Sequence, residues 1–474
     1  MMVGVGIMGK YEKLGKNVMF ITLGNFASKI LTFLMIPFYT NVLSTNEFGV
    51  SDLITSTVNL ILPFFTLLIS EAVMRFTLEE KYDNSQVFSI GIYTILIGTF
   101  IMVAFSPIII INKVMAQYYW YFVFYYFVSA IQIMLSQYVK GINRVMIYSF
   151  AGVIQTVSMI ILSIVFLAIY KTGITGYLLS LIVSNIITIF ILWIGANISK
   201  SVLAFKKLNR KLVYEMYSYS IPMIPNSLNW WISNSADKYM LMYFSGMGVT
   251  GIYSVSQKIP SMLSVISTIF MSAWQISAVD NFGSKDSLDF YSDIYRKYSS
   301  LNIISITTLI CFTKLLANFL FSKDFYEGWI FVPILLLAYY FNAMSSFLGT
   351  IYTSAKKTKM LFISTVVAAS SNISLNFVFI PLFGGMGASI STFISYFITW
   401  IIRIINTRRI MIINWNRKND ICSICLIIIQ IIIVMYNNSF WCSILVFFIV
   451  LIINRKVFIY IFQFVEKILN RRLF

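Results

Sequence analysis

Thr22, Asn25, Lys29 and Thr32 recur at intervals of three and four, so they share one face of a helix inside an otherwise apolar run over 17–41. Lys29 stands near the middle of that run, about a dozen residues at ~1.5 Å rise from either end, too deep for its ammonium to snorkel to a membrane surface. A charge at that depth costs at least ~2.5–3.5 kcal/mol, so Lys29 is expected to face protein, water or a charged ligand. Two further polar faces repeat the pattern. Asn226, Asn229, Ser233 and Asp237 line one side of a run over 217–243, with Lys238 rotated by ~100° from Asp237, and Ser254, Lys258 and Ser261 line a run over 250–277. Asp237 and Lys258 both fall in the outer half, where an inter-helix salt bridge is geometrically reasonable. In the run over 48–74, Asp52, Thr55, Asn59 and Thr66 form a stripe, and Glu71 and Arg75 are spaced as an i,i+4 ion pair that reads as a gate or clasp.

Lys29, Lys238 and Lys258 oppose only Asp237 at mid-depth, with Asp52 near the outer end. A cavity with that surplus attracts anions, and phosphate oxygens are natural partners for ammonium groups. Candidate substrate-binding residues are therefore Lys29, Asn25, Lys238, Lys258 and Asn229, and candidate coupling or gate residues are Asp237, Glu71, Arg75 and Asp52. Trp230, Trp231 and Trp274 are candidates for stacking on sugars.

Enzyme chemistry finds little support. Histidine is absent, which removes the usual proton carrier near neutral pH. No glycine-rich phosphate loop precedes a Lys-Ser/Thr pair, and no metal-ligand spacing occurs. The four cysteines lie in or beside apolar runs, and Cys422-x-x-Cys425 lacks the strand–helix context of a redox motif. The expectation is transport without covalent chemistry, with no metal and no cofactor.

The elements that position these residues are transmembrane helices. Hydrophobic residues make up 59% of the 474-residue chain and charged residues 11%, with mean hydropathy +0.84. The fold class is an all-α polytopic membrane protein, with spans expected at 17–41, 48–74, 86–111, 118–139, 146–170, 174–198, 217–243, 250–277, 299–320, 329–352, 360–382, 386–407, 420–436 and 440–454. With fourteen spans, 28 of the 35 Lys and Arg fall in loops and tails on the side of the termini and three on the other, which puts both termini in the cytoplasm. Arg403 belongs to that cytoplasmic count. The +18 formal charge needs no nucleic acid; topology and an anionic inner leaflet account for it.

An internal repeat organises the runs. Gly173-x-x-Gly176 with Ser180 matches Gly384-x-x-Gly387 with Ser391, and the turn near Gly49 matches the turn over 245–251. The implied organisation is a six-helix lobe over 1–198, a basic cytoplasmic linker over 199–216, a second six-helix lobe over 217–409, and two additional helices with a basic tail over 410–474. Six spans per copy give both copies the same orientation in the membrane, a recognised transporter arrangement.

The stretch Ile36-Pro37-Phe38-Tyr39-Thr40-Asn41-Val42-Leu43-Ser44-Thr45-Asn46-Glu47-Phe48-Gly49-Val50, with Pro63 and Glu71-Ala72-Val73-Met74-Arg75-Phe76, resembles the polysaccharide-biosynthesis branch of the multidrug/oligosaccharidyl-lipid/polysaccharide exporter superfamily. The resemblance covers the first twelve runs. It implies a V-shaped pair of lobes around a cavity that opens alternately to either side, and a flippase for undecaprenyl-pyrophosphate-linked oligosaccharide units of capsule, O-antigen or another surface polysaccharide. Lys29, Lys238 and Lys258 would engage the pyrophosphate. A polysaccharide polymerase and glycosyltransferases are the implied partners, and the bacterial cytoplasmic membrane is the implied location. Related lipid II flippases carry more arginine in the first lobe's cavity, so the absence of arginine from the first run favours a surface-polysaccharide unit. A cation-coupled multidrug exporter is the other alternative, although Asp237 stands nearly alone as a coupling carboxylate.

Overall fold

The computed structural model describes residue 24 and residues 26–79, 81–105, 116–198, 209–284, 286–437 and 439–456. Those residues form helices joined by short turns, packed as two units, Met1–Ser235 and Ala236–Phe474.

In the first unit, α1 (Phe26–Val42) stops at Leu43, whose extended backbone delivers Ser44 as the cap of α2 (Thr45–Phe65). Ser44 Oγ accepts the Glu47 amide at 3.2 Å, and the Glu47 carboxylate accepts the Ser44 amide at 2.9 Å, so two otherwise orphaned N–H groups are satisfied together. Glu47 Oε1 also accepts the amide of Ile174 at 3.4 Å, which ties the start of α2 to the start of a later helix. The single run expected over 48–74 is broken. Leu67 and Leu68 both take φ of 50°, and the chain restarts as the short helix α3 (Ile69–Thr77). A leucine at positive φ is strained, and nothing in an apolar run announces it.

Helices α4 (Asn84–Ala104), α5 (Tyr119–Gly141), α6 (Val145–Ile169, ending in a π-helical turn) and α7 (Ile174–Gly195) complete the long spans of this unit. Contact between α2 and α4 is close at Gly98, where an added Cβ would run into the Phe65 carbonyl oxygen. Helix α8 (Arg210–Ser220) packs back on the same unit: Tyr217 Oη lies 2.9 Å from Thr94 Oγ1, and Tyr82 Oη donates to Glu215 at 2.8 Å.

Helix α9 (Ile224–Ser256) straddles the divide and is interrupted at Gly246, where φ 87° and ψ 171° require glycine. The interruption is a reversal. Asp237 is hydrogen-bonded to Tyr253 and Gln257, and a continuous helix would hold residues 237 and 257 about 30 Å apart. The turn expected over 245–251 is therefore present, and the apolar stretch Ser235–Asn281 is a hairpin whose second arm continues through α10 (Lys258–Asn281).

The second unit continues with α11 (Ser287–Cys311) and α12 (Thr313–Leu320), bent by 64° at their junction, then α13 (Val332–Ser354), α14 (Thr358–Phe383), α15 (Gly385–Thr407), α16 (Arg417–Ile432) and α17 (Phe440–Ile453). Helix α13 is the central post, with the largest buried share of any span described. The last two helices are knitted to α11 by buried Gln430, which accepts from Thr307 Oγ1 at 2.6 Å and donates to Ser443 Oγ at 3.2 Å.

The turns before α7 and α15 match in conformation. Gly173 has φ 58° and ψ −141°, Gly384 has φ 55° and ψ −130°, and Ser180 and Ser391 beyond them are both fully buried. Few residues other than glycine adopt that backbone, so the recurrence extends the sequence repeat from residue types to geometry.

By length and composition, ten described helices can cross a membrane, or eleven if the bent pair α11–α12 is one span; α1 and α17 are shorter apolar helices. Their outward faces carry bare Phe100, Phe190, Trp441 and Ile452, as lipid-facing helices must. The chain is thus a multi-pass all-α membrane protein. The described thiols are free: Cys311 is buried, and Cys422, Cys425 and Cys442 are exposed on these apolar helices.

Candidate functional site

In the first unit, Lys29 and Thr32 share an exposed face of α1. The opposite side of that helix is seated on α6: Gly24 approaches the Ser149 backbone, and Ser28 Oγ donates to the Gly152 carbonyl at 3.4 Å. Asn25 lies outside the described residues, as does the side chain of Asn229. Asp52 is half-buried on α2, its carbonyl accepting the Thr55 hydroxyl at 2.9 Å.

The expected Glu71–Arg75 pair does not form. Arg75 reaches forward to Glu79 at 2.9 Å, and Glu71 accepts from Gln137 Nε2 at 2.9 Å. The cause is tertiary: α3 turns Glu71 toward α5 while Arg75, about half exposed, stays on the outer face with Glu79. Gln137 in turn accepts from Lys140 at 3.2 Å, and the Lys140 ammonium lies 4.1 Å from the Tyr148 ring centroid. These side chains border a cavity of about 300 Å³ between α1, α5 and α6, with Gln132 and Gln155 on its wall. Gln155 continues inward to Asn185, which donates to Ser129 at 3.2 Å. The polar stripes singled out in the sequence do not include this amide-rich network; the spacing of Gln132 and Ser136 on one run is the signal that points to it.

In the second unit, Asp237 is 6% exposed and anchored across the hairpin. Its Oδ2 accepts from Tyr253 Oη at 2.7 Å and Gln257 Nε2 at 3.2 Å, and its Oδ1 accepts the Lys238 amide at 2.9 Å. Tyr253 is fully buried in an apolar cluster with Leu241, Leu335, Ile380 and Ala388. Lys238 and Lys258 are half-buried on the same two arms. In the same unit, Asn376 donates to Asn372 at 3.0 Å within the buried face of α14. Trp274 is not available for stacking on a sugar. It is 4% exposed, lies 4.7 Å from the Phe347 ring in a stacked arrangement, and donates to Thr350 Oγ1 at 2.9 Å. In the first unit, Trp231 donates to the Ser56 carbonyl at 2.8 Å.

Arg403 corrects the count of loop cations. It sits inside α15, 7% exposed, and its guanidinium donates from Nε to Ser364 Oγ at 3.0 Å, from Nη1 to the Ser345 carbonyl at 2.8 Å and from Nη2 to Thr365 Oγ1 at 3.1 Å. Among the described residues no carboxylate forms an ion pair with it. It borders an open cavity of about 430 Å³ lined by residues of α10, α11, α13, α14 and α15. Its place four residues from the end of an apolar run gives it the sequence signature of a loop residue.

Among the described residues no group of three or more His, Cys, Asp or Glu could hold a metal ion. The described helices carry bare apolar flanks around a hairpin closed on a buried carboxylate and cavities walled by amides, hydroxyls and cations, the make-up of a multi-pass membrane protein with polar interior sites. The chain belongs to the polysaccharide biosynthesis protein family, whose model matches residues 14–275, and the MatE model matches residues 222–378. It is thereby a member of the multidrug/oligosaccharidyl-lipid/polysaccharide exporter superfamily, whose solved structures share its fold.

Two membrane proteins of Methanocaldococcus jannaschii are similar in sequence. MJ1068 is 24% identical over 84% of this chain and 84% of its own length, and MJ1375 is 21% identical over 83% and 98%. Among solved structures, the lipid II flippase MurJ in an inward closed conformation matches with a TM-score of 0.71 and 15% identity, covering 92% of this chain and 98% of that one. An inward-facing multidrug resistance MATE family transporter matches with a TM-score of 0.66 and 12% identity, covering 82% and 94%. A superfamily transporter from Pyrococcus furiosus, described by the reversed polarity of its binding pocket, matches at 0.57 and 11%, covering 83% and 95%. At these identities the likeness is one of fold.

Proposed function

We propose that this protein flips a polyprenyl-diphosphate-linked saccharide from the inner to the outer leaflet of the cytoplasmic membrane by alternating access. The observation that carries the reading is Lys29, exposed together with Thr32 on α1 among exposed Phe26, Ile30 and Leu34, in a chain whose family is polysaccharide biosynthesis. In this reading fourteen spans form two six-helix lobes and a terminal pair, with both termini in the cytoplasm. Lys29, Lys238 and Lys258 meet the diphosphate while the prenyl tail stays in lipid, since the bare headgroup cannot cross hydrocarbon. Asp237 serves coupling or gating.

A surface-polysaccharide repeat unit and the peptidoglycan precursor lipid II share that diphosphate. The fold likeness to a lipid II flippase, with a higher TM-score than the multidrug transporters, favours the peptidoglycan precursor as a second reading. The absence of arginine from the first run is a weak discriminator against it, because Arg403 shows that this chain places arginine elsewhere in a helix interior.

The test is Lys29→Ala in a host whose export of a defined lipid-linked saccharide depends on this gene, with membrane abundance measured in parallel. Export should fall to background at normal abundance, and Lys29→Arg should retain part of it because the charge remains while its geometry changes. Wild-type export by well-expressed Lys29→Ala would refute the assignment.

A further inference from the structure

We propose that the cavity beside Arg403 binds the glycosyl-diphosphate headgroup of the transported lipid, with the guanidinium on the phosphoryl oxygens and the hydroxyl-lined wall on the sugar. The proposal rests on the flippase reading and adds a second-unit contact to it.

The chemistry follows from how each group is already committed. A guanidinium carries five N–H donors in a rigid fork. Three are used, one each on Nε, Nη1 and Nη2, which leaves one on each terminal nitrogen. Those two donors match a pair of phosphoryl oxygens. All three present acceptors are neutral, so the buried charge has no counter-ion among the described residues, and an arriving dianion supplies one. The fork packs directly over Gly349, where an added Cβ would lie 3.2 Å from Arg403 Nη1 and would displace it.

The rest of the wall suits hydroxyl donors. Thr268 donates to the Ser264 carbonyl at 2.7 Å, Ser272 to the Thr268 carbonyl at 2.8 Å and Thr353 to the Thr350 carbonyl at 2.9 Å. Each hydroxyl hydrogen is thus spent on its own helix, and the oxygen lone pairs remain to accept from sugar O–H groups. Gln275 and Asn342 add amides that both donate and accept. The volume, about 430 Å³, is within the range of small-molecule sites.

A purely structural role for Arg403, tying α13, α14 and α15 together, predicts a loss of stability and no change in ligand affinity per folded molecule. The experiment separates the two. The full chain in lipid nanodiscs is titrated with farnesyl-diphosphate-linked N-acetylglucosamine, farnesyl monophosphate and inorganic pyrophosphate. Wild type should bind the saccharide lipid, Arg403→Gln should weaken it by about tenfold or more, and Arg403→Lys should fall between. Ser272→Phe fills the exposed side of the cavity without touching the guanidinium's three bonds, and it should weaken binding comparably at an unchanged unfolding temperature. It therefore decides the matter if Arg403→Gln fails to fold.

Unchanged affinity in Ser272→Phe and in folded Arg403→Gln overturns the site while leaving transport intact. Binding of inorganic pyrophosphate as tight as that of the saccharide lipid overturns the lipid as its source. Arg403-dependent binding in a wild-type protein that fails to flip lipid refutes the transport reading alone.

Discussion

Tyr253→Phe removes one hydroxyl from a fully buried side chain and leaves its volume and ring contacts in place. The lost bond, 2.7 Å to Asp237 Oδ2, is a short hydrogen bond to a carboxylate, a class that contributes roughly 1.5–3 kcal/mol. Asp237 keeps the Gln257 amide and the Lys238 backbone N–H, so the carboxylate is weakened and not orphaned, and the expected cost is about 2 kcal/mol. No cavity penalty is added, because no carbon is deleted. The measurement is reversible unfolding in mixed micelles by titration with a denaturing detergent, run as a double-mutant cycle with Asp237→Asn. A destabilisation of about 2 kcal/mol in the wild-type background, falling to less than about half that in the Asp237→Asn background, is the predicted pattern. Equal stability of Tyr253→Phe and wild type, or equal effects in both backgrounds, would refute the view that this bond closes the hairpin.

Two glycines make opposite predictions. Gly98→Ala drives its Cβ into the Phe65 carbonyl, so α2 and α4 must separate at a cost of about 3 kcal/mol or more, read as loss of folded protein in the membrane fraction. Gly152→Ala meets nothing within 4 Å and should be neutral or stabilising by up to ~1 kcal/mol in the same unfolding assay. Glu47→Ala should cost about 1 kcal/mol, with Glu47→Gln recovering much of it because an amide can still accept from the Ser44 N–H. Equal stability of the two Glu47 variants would count against the capping box.

What the sequence made legible is what apolar periodicity encodes. Long runs, the reversal near Gly246 and the matched turns at Gly173 and Gly384 follow from residue types that physically demand them: twenty apolar residues need lipid, and positive φ needs glycine. The break after Phe65 was illegible because Leu67 and Leu68 take up positive φ under tertiary constraint, against their own preference. Arg75 had two carboxylates at i±4, Glu71 and Glu79, and spacing alone could not choose between them; Gln137, on another helix, decided it. Trp274 illustrates the converse error. A tryptophan named as a candidate for stacking on sugars is spent by the structure on Phe347 and Thr350. Arg403 was hidden by the charge count that set the orientation, which assigned it to the cytoplasmic side although the expected run over 386–407 contains it.

The Asp237–Tyr253–Gln257 clasp bears on how the nascent protein enters the bilayer. Asp237 and Lys238 emerge from the ribosome some twenty residues ahead of Gln257, an interval of about 1–4 s at ordinary elongation rates. During that interval the arm carrying both charges has no clasp, and each charge disfavours release into lipid by roughly 2.5–3.5 kcal/mol. Partitioning from the translocon is therefore expected to wait for the second arm and to proceed as a pre-zipped pair. That makes Gly246 a checkpoint of biogenesis as well as a corner of the finished molecule.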